Sequence, residues 1–287
     1  MQDKHVAITG PTAGIGRATS LELARQGAQL TLFCRNADKA NALCDEIATV
    51  ADHVPRVILM DMADLGSVRR AAQTFLETAP PLDVLLNNAG VINTTRRETV
   101  DGFEETLAVN HFAPFLLTGL LMPAIQHGGN VRIVNVASAA HEFVRGMDFD
   151  DMHAQKSYST FRVYGRSKLA NILFTRSLAQ RLEDTPITVN CLHPGAVSTS
   201  LGTHNKGLAS SLLPLLLKPF FRTPEQGAAT SLYLCTSDEV ADISGEYFAN
   251  CKLKRAKPWA RDDAAAERLW QFTEESLDFR FPLSAGA

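Results

Sequence analysis

The sequence predicts an α/β fold: one doubly wound domain, with a parallel sheet of seven strands and helices on both faces. Three observations carry this expectation. Short apolar runs alternate with longer segments of helical period along all 287 residues. The apolar runs are rich in Val, Ile and Leu without polar alternation, as in strands buried on both faces. No linker, repeat or low-complexity stretch breaks the alternation, so residues 1–287 are expected to form a single domain. Right-handed crossovers then give the doubly wound order.

The elements follow in turn. "HVAIT" (His5–Thr9) predicts the first strand. Gly16–Gly27 predicts the first helix, with Leu21, Leu23 and Ala24 inward and Gly27 as C-cap. "AQLTLFC" (28–34) is the second strand and "ADKANALCDEIATV" (37–50) the second helix. "RVILM" (56–60) leads to a helix over Ser67–Thr78 that starts at Gly66–Ser67. "LDVLLNN" (82–88) precedes a long helix over Phe103–Ile125. "NVRIVNVAS" (130–138) precedes another over Phe161–Leu182. "ITVNCLH" (187–193) is the sixth strand. Helices are expected near Leu208–Leu217 and Pro224–Cys235, then "EYFAN" (246–250) as a seventh strand and a last helix over Asp262–Leu277.

Composition excludes several classes. The net charge is −3 and no basic run suggests a nucleic-acid surface. The five cysteines are widely spaced without CxxC, and the eight histidines show no HExxH. Neither a disulfide framework nor a metal site is expected, and a reducing, cytoplasmic setting fits. "MQDKHVAITG" enters a strand-like run at once, so no signal peptide is expected. The most apolar stretch, Leu208–Phe221, is broken by Pro214, Lys218 and Pro219 and is too short to span a bilayer.

The first strand ends in "TGPTAGIGR" (Thr9–Arg17). Gly10 permits a tight turn, Gly14 lets backbone approach a pyrophosphate, and Gly16 lets helix pack on strand. The helix N-terminus faces the anion. This is a Rossmann-type dinucleotide loop, with Gly10, Thr12, Ala13, Gly14, Ile15 and Gly16 as candidate cofactor contacts. The second strand ends in "FCRN", with Arg35 and Asn36 where an acidic residue would bind a ribose hydroxyl. An arginine suits a 2′-phosphate, and Arg17 could add a second positive charge, so NADP(H) is preferred. Asp38 lies near enough to keep NAD(H) open.

"TGPTAGIG", "NNAG" (Asn87–Gly90), Asn110 in "AVNHF", Ser138 in "VNVASAA", "YGRSK" (Tyr164–Lys168) and "HPGAVST" (His193–Thr199) occur in one order. In this the chain resembles the short-chain dehydrogenase/reductase family over nearly its whole length. "CR", "SAAH", "YGRSKLANILFTRSLAQRL" and "GEYFANCK" resemble its retinol dehydrogenase-like branch. Pro11 is unusual in the loop but leaves the three glycines in place. The resemblance implies that Asp61 and Met62 lie near the adenine. It puts Asn88, Ala89 and Gly90 along the ribose, and Pro194, Gly195, Val197 and Thr199 around the nicotinamide. It makes Asn110, Ser138, Tyr164 and Lys168 catalytic, with Tyr164 and Lys168 also touching the cofactor. It further implies homo-oligomers built through the two long helices.

Tyr164 and Lys168 stand four apart and share a helix face. A phenol ionises near pH 10, too high for a base at neutral pH, and a neighbouring ammonium favours the phenolate. Lys168 is therefore expected to tune Tyr164 as acid/base. The resemblance adds that Ser138 steadies the substrate oxygen and Asn110 supports a proton relay through water. The inserts near 139–160 and 200–222 are expected to hang over the site as lids. The apolar second insert suggests a hydrophobic alcohol, aldehyde or ketone, and the branch resemblance implies a retinoid-, steroid- or lipid-like one; packing on the fold or a neighbouring subunit and peripheral membrane contact are other uses of that stretch. His141 reads as a loop histidine. Two alternatives share the fold: a nucleotide-sensing regulatory protein, and a reductase of carbon–carbon double bonds.

Overall fold

The computed structural model describes residues 1–127, 129–195 and 222–283. Strands β1 (His5–Thr9), β2 (Gln29–Cys34), β3 (Arg56–Leu59), β4 (Val84–Asn87), β5 (Arg132–Val136), β6 (Thr188–His193) and β7 (Tyr247–Ala249) are parallel. Their order in the sheet is β3-β2-β1-β4-β5-β6-β7. The order reverses beside β1, which opens a crevice at the carboxyl ends of β1 and β4. An eighth strand, β8 (Lys252–Leu253), adds to the expected seven and runs antiparallel to β7. Asn250 and Cys251, at φ 55° and 56°, make the tight turn between them, and paired left-handed residues are what a two-residue hairpin needs.

Helices α1 (Gly14–Arg25), α2 (Ala37–Ala48) and α3 (Leu65–Thr78) follow the first three strands. Side chains fix two of their starts. Asn36 Oδ1 accepts from Lys39 N–H at 2.8 Å, and Asp64 Oδ1 from Ser67 N–H at 3.0 Å. That cap puts the start of α3 two residues before the expected Ser67.

The first long helix is not continuous. It comprises α4 (Glu105–Leu107), a π-helical turn (Ala108–Phe112), α5 (Ala113–Leu120) and α6 (Met122–His127). Pro114 has no N–H for the Asn110 carbonyl four residues back, so the ladder widens there. The second long helix, α7 (Thr160–Arg181), is unbroken. Then come α8 (Pro224–Thr236), started by a Thr223–Gln226 capping box, and α9 (Asp263–Leu277).

Helix α9 and the tail behind it lie on α5 and α7. Trp270 stacks edge-on with Phe115 at 4.9 Å and lies 5.0 Å from Phe281. The Arg181 guanidinium sits 4.1 Å from the Trp270 ring, and Arg176 pairs with Asp263 at 2.7 Å. A Cβ on Gly119 would stand 2.6 Å from the Phe279 ring, so α5 admits the tail only because that residue has none. The side of α5 and α7 that carries Phe115 and Phe174 is thus covered by Trp270 and Phe281. The expected helix at Leu208–Leu217, and nearly all of the second insert, lie outside the described residues. No helix among the described residues is long and apolar enough to cross a membrane.

Candidate active site

The glycine loop joins the end of β1 to the start of α1. Gly10 and Gly14 take φ of 64° and 53°, open to glycine at little cost. Gly16 is constrained by contact: a Cβ there would stand 2.2 Å from the Gly10 carbonyl oxygen and 2.5 Å from Asn88 Nδ2. Ala13 caps α1 with no side-chain hydrogen bond, so the first turn's N–H groups are left for an anion. Thr12 and Ala13 are accessible and Ile15 is buried.

The "NNAG" stretch is tied to this loop. Asn88 Nδ2 donates to the carbonyls of Thr9 (2.9 Å) and Gly10 (3.1 Å). Thr9 Oγ1 accepts from the N–H of both Asn88 and Ala89 at 3.0 Å. The Asn88 side chain, expected along the ribose, therefore holds the loop in shape. At the end of β2, Arg35 is exposed and forms no ion pair among the described residues. Asn36 is occupied in capping α2. Arg17 does not stand free for a phosphate: both its Nε and Nη2 donate to the Glu46 carboxylate. Asp61 accepts from Ala63 N–H at 3.0 Å at the end of β3, and Met62 is buried beside it.

The four residues expected to be catalytic meet past the ends of β4 and β5. Asn110, in the π-helical turn, is fully buried. Its Oδ1 accepts from Val91 N–H at 2.7 Å, and its Nδ2 donates to the Val91 carbonyl (3.0 Å) and to Ser167 Oγ (2.9 Å). Lys168 Nζ donates to the Val136 carbonyl at 2.9 Å and lies 5.8 Å from the centre of the Tyr164 ring. A Cβ on Gly90 would stand 3.3 Å from both Lys168 Nζ and Asn110 Oδ1, so this glycine leaves the space open between them. Ser138 Oγ accepts from Ala140 N–H at 3.1 Å, which leaves its own proton to donate.

The electrostatics differ from the expectation. Burial raises the Tyr164 phenol above its ordinary value of 10.0, and the Ser138 hydroxyl draws it part of the way back. The Lys168 ammonium is turned to Val136, and burial lowers its own pKa from 10.5 to about 8. For the phenol, desolvation outweighs the lowering by its neighbours.

Pro194 and Gly195 follow β6, and Gly195 has φ 90° with the Arg222 side chain packed against it. Val197 and Thr199 lie outside the described residues. The insert at 139–160 is packed on the fold. Met152 and Ala154 are buried, Arg166 pairs with Asp148 at 2.7 Å, and the Tyr158 hydroxyl donates to the Asn93 carbonyl at 2.9 Å. Sequence reasoning missed Thr9 and Ser167, whose hydroxyls hold the loop and Asn110. Thr9 directly precedes the first glycine and Ser167 directly precedes Lys168, and that adjacency was the only signal.

Residues 4–207 match the short chain dehydrogenase family, and the chain belongs to it. It is 43% identical to retinol dehydrogenase 14 of Homo sapiens, over 96% of this chain and 86% of that protein. It therefore sits in the retinol dehydrogenase-like branch. A solved structure of an uncharacterised protein from Mycobacterium Paratuberculosis superposes with a TM-score of 0.80 at 32% identity, over 98% of this chain and 96% of the other. A short chain dehydrogenase from Burkholderia cenocepacia J2315, solved in complex with NADP, superposes at 0.68 with 26% identity, over 86% and 95%.

Proposed function

We propose that this oxidoreductase uses NADP(H) to interconvert a hydrophobic alcohol and its aldehyde or ketone, with Tyr164 as the acid/base. The observation that carries the reading is that Asn110 and Lys168 meet beside Gly90, with the Tyr164 ring 5.8 Å from Lys168 Nζ and the Ser138 hydroxyl against the Tyr164 phenol. The loop from Gly10 to Gly16 fits a pyrophosphate, since the N–H groups at the start of α1 are uncapped and Gly10 and Gly16 leave no room for a side chain. Arg35 would take the 2′-phosphate and Lys168 the ribose beside the reactive ring. The bound nicotinamide would supply or accept the hydride.

The chain's own residues do the rest. In reduction, the Ser138 hydroxyl donates to the carbonyl oxygen and holds it within reach of Tyr164. Tyr164 then gives its proton to that oxygen as negative charge builds there. A phenol kept protonated by burial is suited to this donation. Alcohol oxidation reverses the transfer. Asn110, clamped by Val91 and Ser167, would support the water-linked relay that returns a proton to Tyr164.

A hydrophobic substrate is supported by Phe143 and Phe161, exposed at 61% and 65%, with ring centres 6.0 Å apart. They stand five residues after Ser138 and three before Tyr164. The similarity to retinol dehydrogenase 14 favours the same class. The test is a panel of aldehydes, ketones and alcohols run with NADPH and with NADH, on the wild type and on Tyr164→Phe. Turnover is expected with NADPH and an apolar carbonyl. The variant should lose turnover while still quenching or shifting NADPH fluorescence. Undiminished turnover in the variant removes Tyr164 from the reaction, and no consumption across the panel favours a nucleotide sensor.

A further inference from the structure

Ser138 is fixed from behind by the segment that follows it. This short 3-10 turn, Ala139–Phe143, is held on three sides. His141 makes two bonds to the Ser138 carbonyl: its N–H at 3.3 Å and its ring Nδ1 at 2.7 Å. A carbonyl only accepts, so Nδ1 carries the ring proton and Nε2 is bare. That second nitrogen is buried without a partner. Burial holds the ring pKa below its usual value against the Ser138 hydrogen bond and the Glu142 charge, which raise it, and Lys254 and Lys257 add to the lowering. The His141 carbonyl accepts from Trp259 Nε1 at 3.0 Å, and its ring packs edge-on against Tyr247 at 5.2 Å. The next residue, Glu142, pairs with Lys257 at 3.2 Å and Lys254 at 3.6 Å. On the third side α7 abuts the turn, since a Cβ on Gly165 would stand 2.7 Å from the Ala140 carbonyl oxygen. Gly165 directly follows Tyr164.

We propose that His141 is a positioning residue for Ser138. Its Nδ1 proton, anchored by Trp259 and Tyr247, sets the backbone from which the Ser138 hydroxyl reaches Tyr164 and the substrate oxygen. Both oxygens of Ser138 are then pinned, the carbonyl by His141 and Oγ by Ala140 N–H. The hydroxyl then faces the Tyr164 phenol, its side-chain partner. This inference rests on the reading of Ser138 as the group that holds the substrate oxygen.

Amide side chains separate the two ring nitrogens. In His141→Asn the Nδ2 stands where Nδ1 stood, whereas in His141→Gln the amide reaches only to the place of Nε2. The full-length wild type and the Asn, Gln and Phe variants are assayed with nonanal and NADPH, and the 139–143 segment is followed by amide hydrogen exchange without cofactor. Asn is expected to keep kcat within about threefold, while Gln and Phe lose about 100-fold in kcat, the scale for roughly 1 Å of misplacement. KM and the Kd for NADPH should move little in any of them. Exchange over 139–143 should quicken in Gln and Phe but not in Asn. If a substituted protein fails to fold, Trp259→Phe removes the outer anchor alone and is expected to lower kcat about threefold to tenfold. Retained activity in Gln with loss in Asn would overturn the proposal and make Nε2 a substrate contact. Equal exchange in all variants would overturn it whatever the turnover. A wild type that consumes no NADPH with any carbonyl instead sinks the functional reading and leaves the exchange result to decide this one.

Discussion

The two walls of the crevice are built in opposite ways. The cofactor wall, from Gly10 to Gly16 with Asn88 behind it, is shaped by what is missing. Its geometry follows from left-handed glycines and from a helix that touches a strand where no Cβ intervenes. The catalytic wall, from Ser138 to Lys168, is shaped by what is buried. Asn110, Ser167 and Lys168 are polar groups almost wholly withdrawn from water, and each is held by a backbone carbonyl, a hydroxyl or an amide. The first wall is a steric object and is insensitive to pH. The second is an electrostatic one, and its protonation states are set by desolvation more than by the charges nearby. The comparison teaches that the same crevice should fail in two distinct modes.

Damage to the steric wall should be largest and pH-independent. Gly16→Ala puts a methyl group 2.2 Å from a backbone oxygen that cannot rotate away. The loop must shift, at roughly 1–3 kcal/mol of overpacking strain, and NADPH affinity should fall by about 100-fold. Fluorescence titration at pH 6 and pH 9 should show the same loss. A loss that vanished at one pH would blur the distinction between the walls.

Damage to the electrostatic wall should trade activity for stability. The Lys168 pKa falls from 10.5 to about 8 on folding, so below pH 8 the fold carries the full cost of a buried cation. That cost fades as pH rises from 8 toward 10.5, where both folded and unfolded chains become neutral. Lys168→Met should abolish turnover yet stabilise the cofactor-free protein by up to about 3 kcal/mol at pH 7, and the gain should shrink above pH 8. Denaturant melts at pH 7 and pH 10 check both sign and window. A gain that grew with pH would contradict the burial argument.

Smaller effects sharpen the cofactor wall's specificity. Arg35→Glu should shift the NADPH-to-NADH preference by about tenfold or more, the scale of one charge-assisted contact. Competition by 2′,5′-ADP against 5′-ADP reads this without catalysis. Glu46→Gln should change least. The Arg17–Glu46 pair is about two-fifths exposed on each side, and such pairs contribute less than about 1 kcal/mol. A large rise in NADPH affinity there would mean that Arg17, once released, reaches the 2′-phosphate.

The parallel sheet and the glycine loop were legible because buried parallel strands and left-handed turns leave composition signatures within a few residues. Asn110, Ser138, Tyr164 and Lys168 were legible through a resemblance carried by their order along the chain. The break of the first long helix was not, although Pro114 stood in view, since a proline marks a kink without telling how the ladder rearranges around Asn110. Nor was the partner of Arg17, because Glu46 lies 29 residues away and only the packing of α1 against α2 brings them together.

By itself the sequence determined the alternation of strands and helices, the places where no side chain fits, and the presence of a phenol and an amine one helical turn apart. Tertiary structure alone decided how those two groups titrate. Burial depends on every element packed around them, and removing water from a charge costs more than one neighbouring charge returns. The same holds for the carboxyl-terminal helix, whose apolar stripe the sequence shows but whose seat on α5 and α7 came only with Trp270 and Phe281 in place.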